Sequence, residues 1–281
     1  MSSRIRVVDT VVTSRWIPGK SRFRTLALLA LAVCVGVGIA LFVHSMWPPS
    51  TGPAGASQTA VNVNGRPVPE REFQQFVANN RAATIGYFQE HFGANVDNGF
   101  WSRSFGEVTP REYLLRKAVH DATIFTVEIE EAEKLGVVTG FTYQGFLQGL
   151  KSENTQRAQD FAHGKVIYGP EQYSEADYFH TVSDGISSAL EAKLQSTGAI
   201  VVAATTMHQY YESHLSDYPL SRTATMVAAP GAIPQAQPFD IVEAQVRQSC
   251  VHSAFNTWVS LDAHKAKVVE NHAVMDAMVI S

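Results

Sequence analysis

The chain has 281 residues, of which 45% are hydrophobic and 17% are charged. This composition is typical of a globular protein with one or two domains, and it excludes an intrinsically disordered chain. The net charge of −4 hides an asymmetry, because residues 1–24 hold six basic residues and one acidic residue. The remainder is therefore acidic and would repel a phosphate backbone, so no nucleic-acid partner is expected.

The basic tail, residues 1–24, precedes nineteen uncharged and mostly apolar residues, 25-TLALLALAVCVGVGIALFV-43. As a helix this run would span about 28 Å, close to the thickness of the hydrocarbon core of a bilayer. It predicts a single-pass protein of the cell membrane, with a cytoplasmic N-terminus and an extracytoplasmic bulk by the positive-inside rule. The alternatives are cleavage near 54-AGA-56 or lipid modification at Cys34.

Small residues recur every four positions along this predicted anchor, at Ala32, Gly36 and Ala40. Such a stripe would let two membrane helices pair in a homodimer, but small residues are common in membrane helices generally, so pairing is the less favoured interpretation. Residues 44–60 are rich in Pro, Gly and Ser and indicate a flexible linker. Residues 61–281 are then the folded domain.

The folded domain opens with 61-VNVNGRPVPEREF-73, which alternates like a β-strand and turns at Asn64-Gly65. Pro69 marks the change from strand to helix, because it fixes the backbone and lacks an amide hydrogen. The helix is expected to run toward His91 and to end in the loop 93-GANVDNG-99.

The clearest helix signal in the sequence is 109-TPRE-112, a capping box with proline at the first helical position. The helix is expected to end at Leu135-Gly136, because glycine suits the left-handed residue that follows a helix. Its predicted buried stripe consists of Leu115, Ala118, Ala122, Phe125, Ile129 and Ala132.

Four further helices follow from the same helical period. They are expected over residues 142–163, after the cap at 174-SEAD-177, around residues 206–214, and from Phe239 onward. Residues 266–280 are predicted to form a closing strand that pairs with the opening one. The predicted fold class is mainly α, with a single N-terminal transmembrane helix and small β-strands at the two ends of the helical domain.

No nucleophile elbow, P-loop, dinucleotide fingerprint or HExxH motif occurs in the sequence. His208, Glu212 and His214 lie close together, but the two histidines do not share a helix face, which favours a solvated helix edge over a metal site. Cys250 lies on an apolar helix face and is interpreted as a core residue. No catalytic residue, metal or cofactor is therefore expected.

Aromatic residues are spread along the helical body, and most of them must belong to the core. A minority that faces a cleft would suit extended apolar peptides, because aromatic side chains supply contact area at low cost in entropy. The candidates for peptide binding are Phe100, Trp101, Tyr143, Phe146, Tyr178 and Tyr211.

The order of these elements resembles the N-terminal chaperone domain of the SurA/PrsA family of extracytoplasmic foldases. The resemblance rests on the anchor, on 61-VNVNGRPVPEREF-73 and on 114-LLRKAVHDATIFTVEIEEAEKLGVV-138. In that family the long helix ends in an A-x-K-x-G-like signature, which 132-AEKLG-136 matches here. Residues 141–182 are similar to the middle of membrane-anchored proteins of this kind that are commonly labelled peptidyl-prolyl isomerases.

In that family a parvulin isomerase domain is often inserted before the last helix, at the place of 222-RTATMVAAPGAIPQAQPFD-240. This short segment, with three prolines, is too small to form a catalytic domain. The resemblance therefore implies a membrane-tethered chaperone that holds unfolded or extended polypeptides without isomerase activity. The alternatives are a structural or adaptor protein for one dedicated partner of secretion or envelope assembly, and an isomerase with an unrecognised site.

Overall fold

The computed structural model describes residues 58–220 and 236–280, which form a mainly helical fold with one small sheet. The strands are β1 (Thr59–Val63), β2 (Arg66–Pro69) and β3 (Val268–Glu270). The helices are α1 (Glu70–Phe92), α2 (Pro110–Lys134), α3 (Tyr143–Ala162), α4 (Glu175–Ser196), α5 (Ala204–Ser213), α6 (Phe239–Ala263) and α7 (His272–Ala277). Short 3-10 turns lie at Phe100–Ser102 and Leu215–Asp217.

The first and last strands meet in a single three-stranded sheet of order β2-β1-β3. The central strand β1 pairs antiparallel with both neighbours, which places Val61 opposite Val68 on one side and Glu270 on the other. Val61 and Val68 are buried, so the centre of the sheet belongs to the core. The predicted pairing of the opening strand with a closing strand is confirmed.

The turn between β1 and β2 has the left-handed backbone that the Asn-Gly pair predicts. Asn64 has φ of 55° and Gly65 has φ of 92°, as a two-residue type I′ turn requires. The Asn64 side chain accepts a hydrogen bond from the Lys267 amide at 2.9 Å and donates one to Glu130 at 3.0 Å. One turn residue therefore joins the hairpin to the start of β3 and to α2.

Helices α1 and α2 pack lengthwise against each other around an aromatic core. The six positions of the predicted α2 stripe are all buried. The rings of Phe76 on α1 and Phe125 on α2 lie 5.8 Å apart, and Phe125 lies 5.3 Å from Phe179 on α4. Asn80 adds a polar contact between α1 and α2, because its amide donates to Asp121 at 2.7 Å.

The N-terminus of α2 carries the predicted capping box. The Glu112 amide donates to the Thr109 hydroxyl at 3.1 Å, and the Thr109 amide donates to the Glu112 carboxylate at 2.8 Å. At the other end of α2, Gly136 has φ of 68°, and the Val137 amide donates to the Ala132 carbonyl at 2.7 Å. Both predicted ends of this helix are confirmed.

Replacing Thr109 by alanine is expected to lower the free energy of unfolding by about 1 kcal/mol, because the Glu112 amide loses its acceptor. The midpoint of urea unfolding, followed by circular dichroism, measures this loss. Thr109→Ser keeps the hydroxyl and should retain most of the stability. An equal loss in both variants would assign the effect to the threonine methyl group and contradict the cap.

The described chain divides into two compact units, one of residues 58–190 and 259–280 and the other of residues 191–220 and 236–258. The second unit has its own apolar core, formed by Met207, Tyr218, Val242, Val246 and Cys250. Its buried Glu191 accepts a hydrogen bond from Gln248 at 3.0 Å and lies 3.1 Å from the His252 ring nitrogen. Each unit therefore holds its own buried polar contacts.

The C-terminal segment differs from the predicted strand over residues 266–280. Pairing stops at Glu270, because the Asn271 side chain accepts a hydrogen bond from the Val274 amide and begins α7. The guanidinium of Arg111 then donates to the carbonyls of Met275 and Asp276, both at 2.9 Å. The prediction is wrong beyond β3, where a capped helix replaces the strand.

The predicted single-pass membrane architecture and cell-membrane location are corrected. Across residues 58–220 and 236–280, no helix combines the length and the apolar character needed to cross a bilayer. The predicted span over residues 25–43, with its stripe at Ala32, Gly36 and Ala40, lies outside the described residues. Most of the segment 222–240 lies outside them as well.

Candidate functional site

A cavity of about 430 Å³ opens beside β2, in the larger of the two units. It lies between this strand, the first turn of α1, the C-terminal half of α2 and residues 140–144, which lead into α3. Its apolar wall consists of Pro67, Val68, Pro69, Phe125, Ile129 and Phe141. Its polar lining consists of Arg66, Glu72, Thr126, Glu133, Thr142, Tyr143 and Gln144. An apolar cavity with a few polar groups is the usual form of a binding site.

An ion pair closes one side of this cavity. Arg66 at the start of β2 and Glu133 near the end of α2 lie 3.0 Å apart, and each side chain is about one-quarter exposed. The Phe141 amide donates to the same carboxylate at 2.8 Å, and the Arg66 guanidinium donates to the Phe141 carbonyl. The charge of Arg66 is therefore matched by Glu133, and the two residues hold the segment before α3 against α2.

A second set of polar contacts surrounds the Tyr143 hydroxyl and involves residues outside the cavity lining. The Tyr143 hydroxyl donates to the Glu175 carboxylate, which also accepts from the Arg71 Nε at 3.0 Å and from Gln75 at 3.1 Å. Burial, together with the bond to Glu175, raises the pKa of Tyr143. Burial alone would raise the pKa of Glu175, but the hydrogen bonds from Arg71 and Tyr143 outweigh it and lower that pKa. Tyr143 therefore stays a neutral hydrogen-bond donor.

Glu72 is the unusual member of the lining. It is only 6% exposed, and within residues 58–220 and 236–280 its carboxyl makes no hydrogen bond. A glutamate at the third helical position normally accepts from the amide of the capping residue, but the cap of α1 is Pro69, which has no amide hydrogen. Burial raises the pKa of Glu72 to about 8, although the nearby charge of Arg66 opposes this rise.

The six predicted peptide-binding aromatics occupy several places. Phe100, Tyr143, Phe146 and Tyr178 are buried, with exposures between 0% and 6%, so they offer almost no surface to a ligand. Trp101 and Tyr211 are half-buried, each against an apolar cluster of its own. Tyr143 is the member of the six that lines the cavity. The structure therefore places most of the predicted site in the core.

The sequence reasoning missed Arg66, Glu72 and Glu133, which supply the charged groups of the cavity. A local signal exists for Glu72, because a glutamate three residues after a proline cap loses its usual partner. No comparable signal links Arg66 to Glu133, which are separated by 67 residues in the chain.

Comparison with known proteins gives no match, since no family model, curated protein or solved structure is similar to this chain at a significant level.

Proposed function

We propose that this protein binds extended segments of unfolded polypeptides and holds them without chemical change. The observation that carries the proposal is the cavity beside β2, whose apolar wall and polar lining suit one side chain of an extended ligand. A cavity of this volume buries a large side chain without selecting its shape closely. The proposal also agrees with the resemblance of the strand–turn–helix entry to chaperone domains.

The edge of β2 supports binding through side chains and not through main-chain pairing. Pro67 and Pro69 alternate along this edge strand, and a proline within a sheet must direct its missing amide position away from the paired neighbour. The outer edge of β2 therefore lacks the donors that an added strand would need. A polypeptide beside β2 must be held by the cavity.

Additional apolar surface lies at the end of α3. Phe161, Val166 and Tyr168 are 59%, 81% and 85% exposed. Large apolar side chains that remain this accessible in neighbouring positions are available for transient contact with apolar segments of a client. Reversible contact of this kind keeps a folding chain from aggregating through the same segments.

The proposal is tested by following light scattering while two unrelated denatured clients refold in the presence of the purified 281-residue chain. We expect suppression of aggregation for both clients. Gln144 is exposed and lies in the lining of the cavity. The variant Gln144→Trp would obstruct the entrance and should weaken suppression of both clients.

Gln209→Trp is the matched control, because Gln209 is exposed on α5 and lies outside both the cavity lining and the apolar surface at the end of α3. It should suppress aggregation as the unmodified chain does. An absence of suppression for both clients would contradict general polypeptide binding. In that case an adaptor role with one dedicated partner would become the better explanation.

A further inference from the structure

The cavity beside β2 contains a buried acidic group that the proposed function does not use. Glu72 is 6% exposed, and in the described ranges no residue donates a hydrogen bond to its carboxyl. A buried polar group without such a partner is costly for the fold, so it needs an explanation. A ligand that enters the cavity and donates to this carboxyl would supply one.

The charged residues that line the cavity indicate which charge its ligand should carry. The charged and titratable groups that line it with Glu72 are Arg66 from β2, Glu133 from α2 and Tyr143 from α3. Arg66 and Glu133 neutralise each other in their ion pair, and the Tyr143 hydroxyl donates to Glu175. When Glu72 is ionised, the lining therefore carries one net negative charge, which favours a cation.

The walls identify the remainder of the ligand. The space of about 430 Å³ next to Glu72 is bounded by proline, valine, isoleucine and phenylalanine side chains. An apolar stem would cover these walls, while a small group with several N–H donors would satisfy the carboxylate. A primary ammonium on an alkyl chain combines both properties, and it occurs in free amines and in lysine side chains.

We infer that the Glu72 cavity is a binding site for an alkylammonium group. The Glu72 carboxylate is its counter-ion, and the apolar residues around β2 contact its alkyl chain. The Arg66–Glu133 pair keeps its own charge balanced and shapes the cavity wall. This site adds to the proposed polypeptide binding and does not depend on it, because a free amine tests the cavity without a polypeptide.

The site predicts a coupling between amine binding and proton release. The free protein keeps Glu72 largely protonated at neutral pH, since burial raises its pKa to about 8. An amine that binds the carboxylate must displace this proton, so the affinity should increase about tenfold per pH unit as the pH rises toward 8. Above that pH the carboxylate of the free protein is already ionised, and the affinity should level off.

The experiment is calorimetric titration of the full chain with n-hexylamine and with 1-hexanol, which has nearly the same shape but no charge. At pH 8 we expect hexylamine to bind at least tenfold more tightly than hexanol. Lowering the pH to 7 and then to 6 should reduce the affinity for hexylamine but not the affinity for hexanol. Equal binding of both probes, or amine binding that is independent of pH, would overturn the inference.

Two variants locate the effect at Glu72. Glu72→Gln keeps the size of the side chain and should remove both the preference for hexylamine and its pH dependence. Glu70→Gln is the matched control, since it makes the same chemical change in the same first turn of α1 but at a residue outside the cavity lining. Undiminished amine binding by Glu72→Gln, with circular dichroism showing a folded chain, would contradict the assignment.

A third titration separates the two sources of the ammonium group. Its probes are a flexible Gly/Ser peptide with one central lysine and the same peptide with glutamine. Tighter binding of the lysine peptide would support the site and assign it to polypeptide side chains. Equal weak binding of both peptides, beside strong hexylamine binding, would also support the site but assign it to free amines. The outcome for hexylamine is independent of aggregation suppression, so failure of either proposal is visible separately.

Discussion

Replacing Phe146 by alanine should lower the free energy of unfolding by about 3–5 kcal/mol, one of the largest effects expected from a single substitution in this chain. Phe146 is 0% exposed, and its ring lies 5.1 Å from Tyr143, 5.2 Å from Tyr178 and 5.7 Å from Phe179. Removal of the ring leaves a void among rigid side chains that cannot close around it. The midpoint and slope of guanidinium unfolding measure the loss.

Phe161→Ala is the matched control, since it makes the same chemical change on the same helix. Phe161 is 59% exposed, so its replacement should change the free energy of unfolding by less than about 1 kcal/mol. Similar losses for the two variants would contradict the burial of Phe146. The pair also separates stability from binding, because Phe161→Ala is expected to weaken suppression of aggregation with little change in stability.

Phe146 also shows why the sequence does not separate a core position from a position in a binding cleft. Helical spacing predicts which face of α3 is apolar, and Phe146 does lie on that face. A core and an apolar cleft both require such a face, so the pattern does not distinguish them. The distinction depends on whether Tyr178 and Phe179 of α4 cover the ring, which is decided by packing between distant segments.

Features with local causes were predicted well. The turn at Asn64-Gly65, the cap at Thr109 and the left-handed residue at Gly136 depend on residues within a few positions, so the sequence contains their full cause. The pairing of β1 with a C-terminal strand was also predicted, but the length of that strand was not. Asn271 ends it by capping α7, and asparagine is equally common in ordinary loops.

Features with distant causes were not predicted. The cavity exists because Arg66 reaches Glu133 and the segment before α3, and these groups are brought together by the hairpin and by α2. The burial of Glu72 follows from the same arrangement. Glutamate is among the residues least often buried, so the ordinary expectation for this position is an exposed side chain.

The pH dependence of stability should reveal this buried carboxyl. The pKa of Glu72 is about 8 in the folded chain, against 4.5 as the ordinary value that applies in the unfolded chain. Between these values the unfolded chain gives up the proton while the folded chain keeps it, so folding becomes less favourable as the pH rises. The expected loss is on the order of 3–5 kcal/mol between pH 4.5 and 8, after which it stops.

Urea unfolding of the full chain at pH 5, 6, 7, 8 and 9 measures this loss, with Glu72→Gln as the test and Glu70→Gln as the control. Glu72→Gln cannot ionise at this position, so its advantage over the unmodified chain should grow from pH 5 to pH 8 and then stay constant. Glu70→Gln leaves the Glu72 carboxyl in place and should therefore retain the loss of stability between pH 5 and pH 8. A constant difference between Glu72→Gln and the unmodified chain would show that Glu72 ionises normally in the fold.

Other carboxyls act in a separate pH window, which makes the effect of Glu72 identifiable. The pKa of Asp97 is lowered by its hydrogen bonds from Arg103 and from the Gly99 amide, and that of Asp160 by its bonds from Lys165 and Gln156. A carboxyl with a lowered pKa contributes stability that is lost only as the pH falls below its ordinary value. These groups therefore reduce stability on the acid side of pH 4, whereas Glu72 reduces it on the alkaline side of pH 5.

A bound alkylammonium should cancel the alkaline loss, because it stabilises the ionised carboxylate in the folded chain. Recovery of stability at pH 8 with hexylamine, but not with hexanol, would show that the pH dependence of stability and the binding of amines both depend on Glu72.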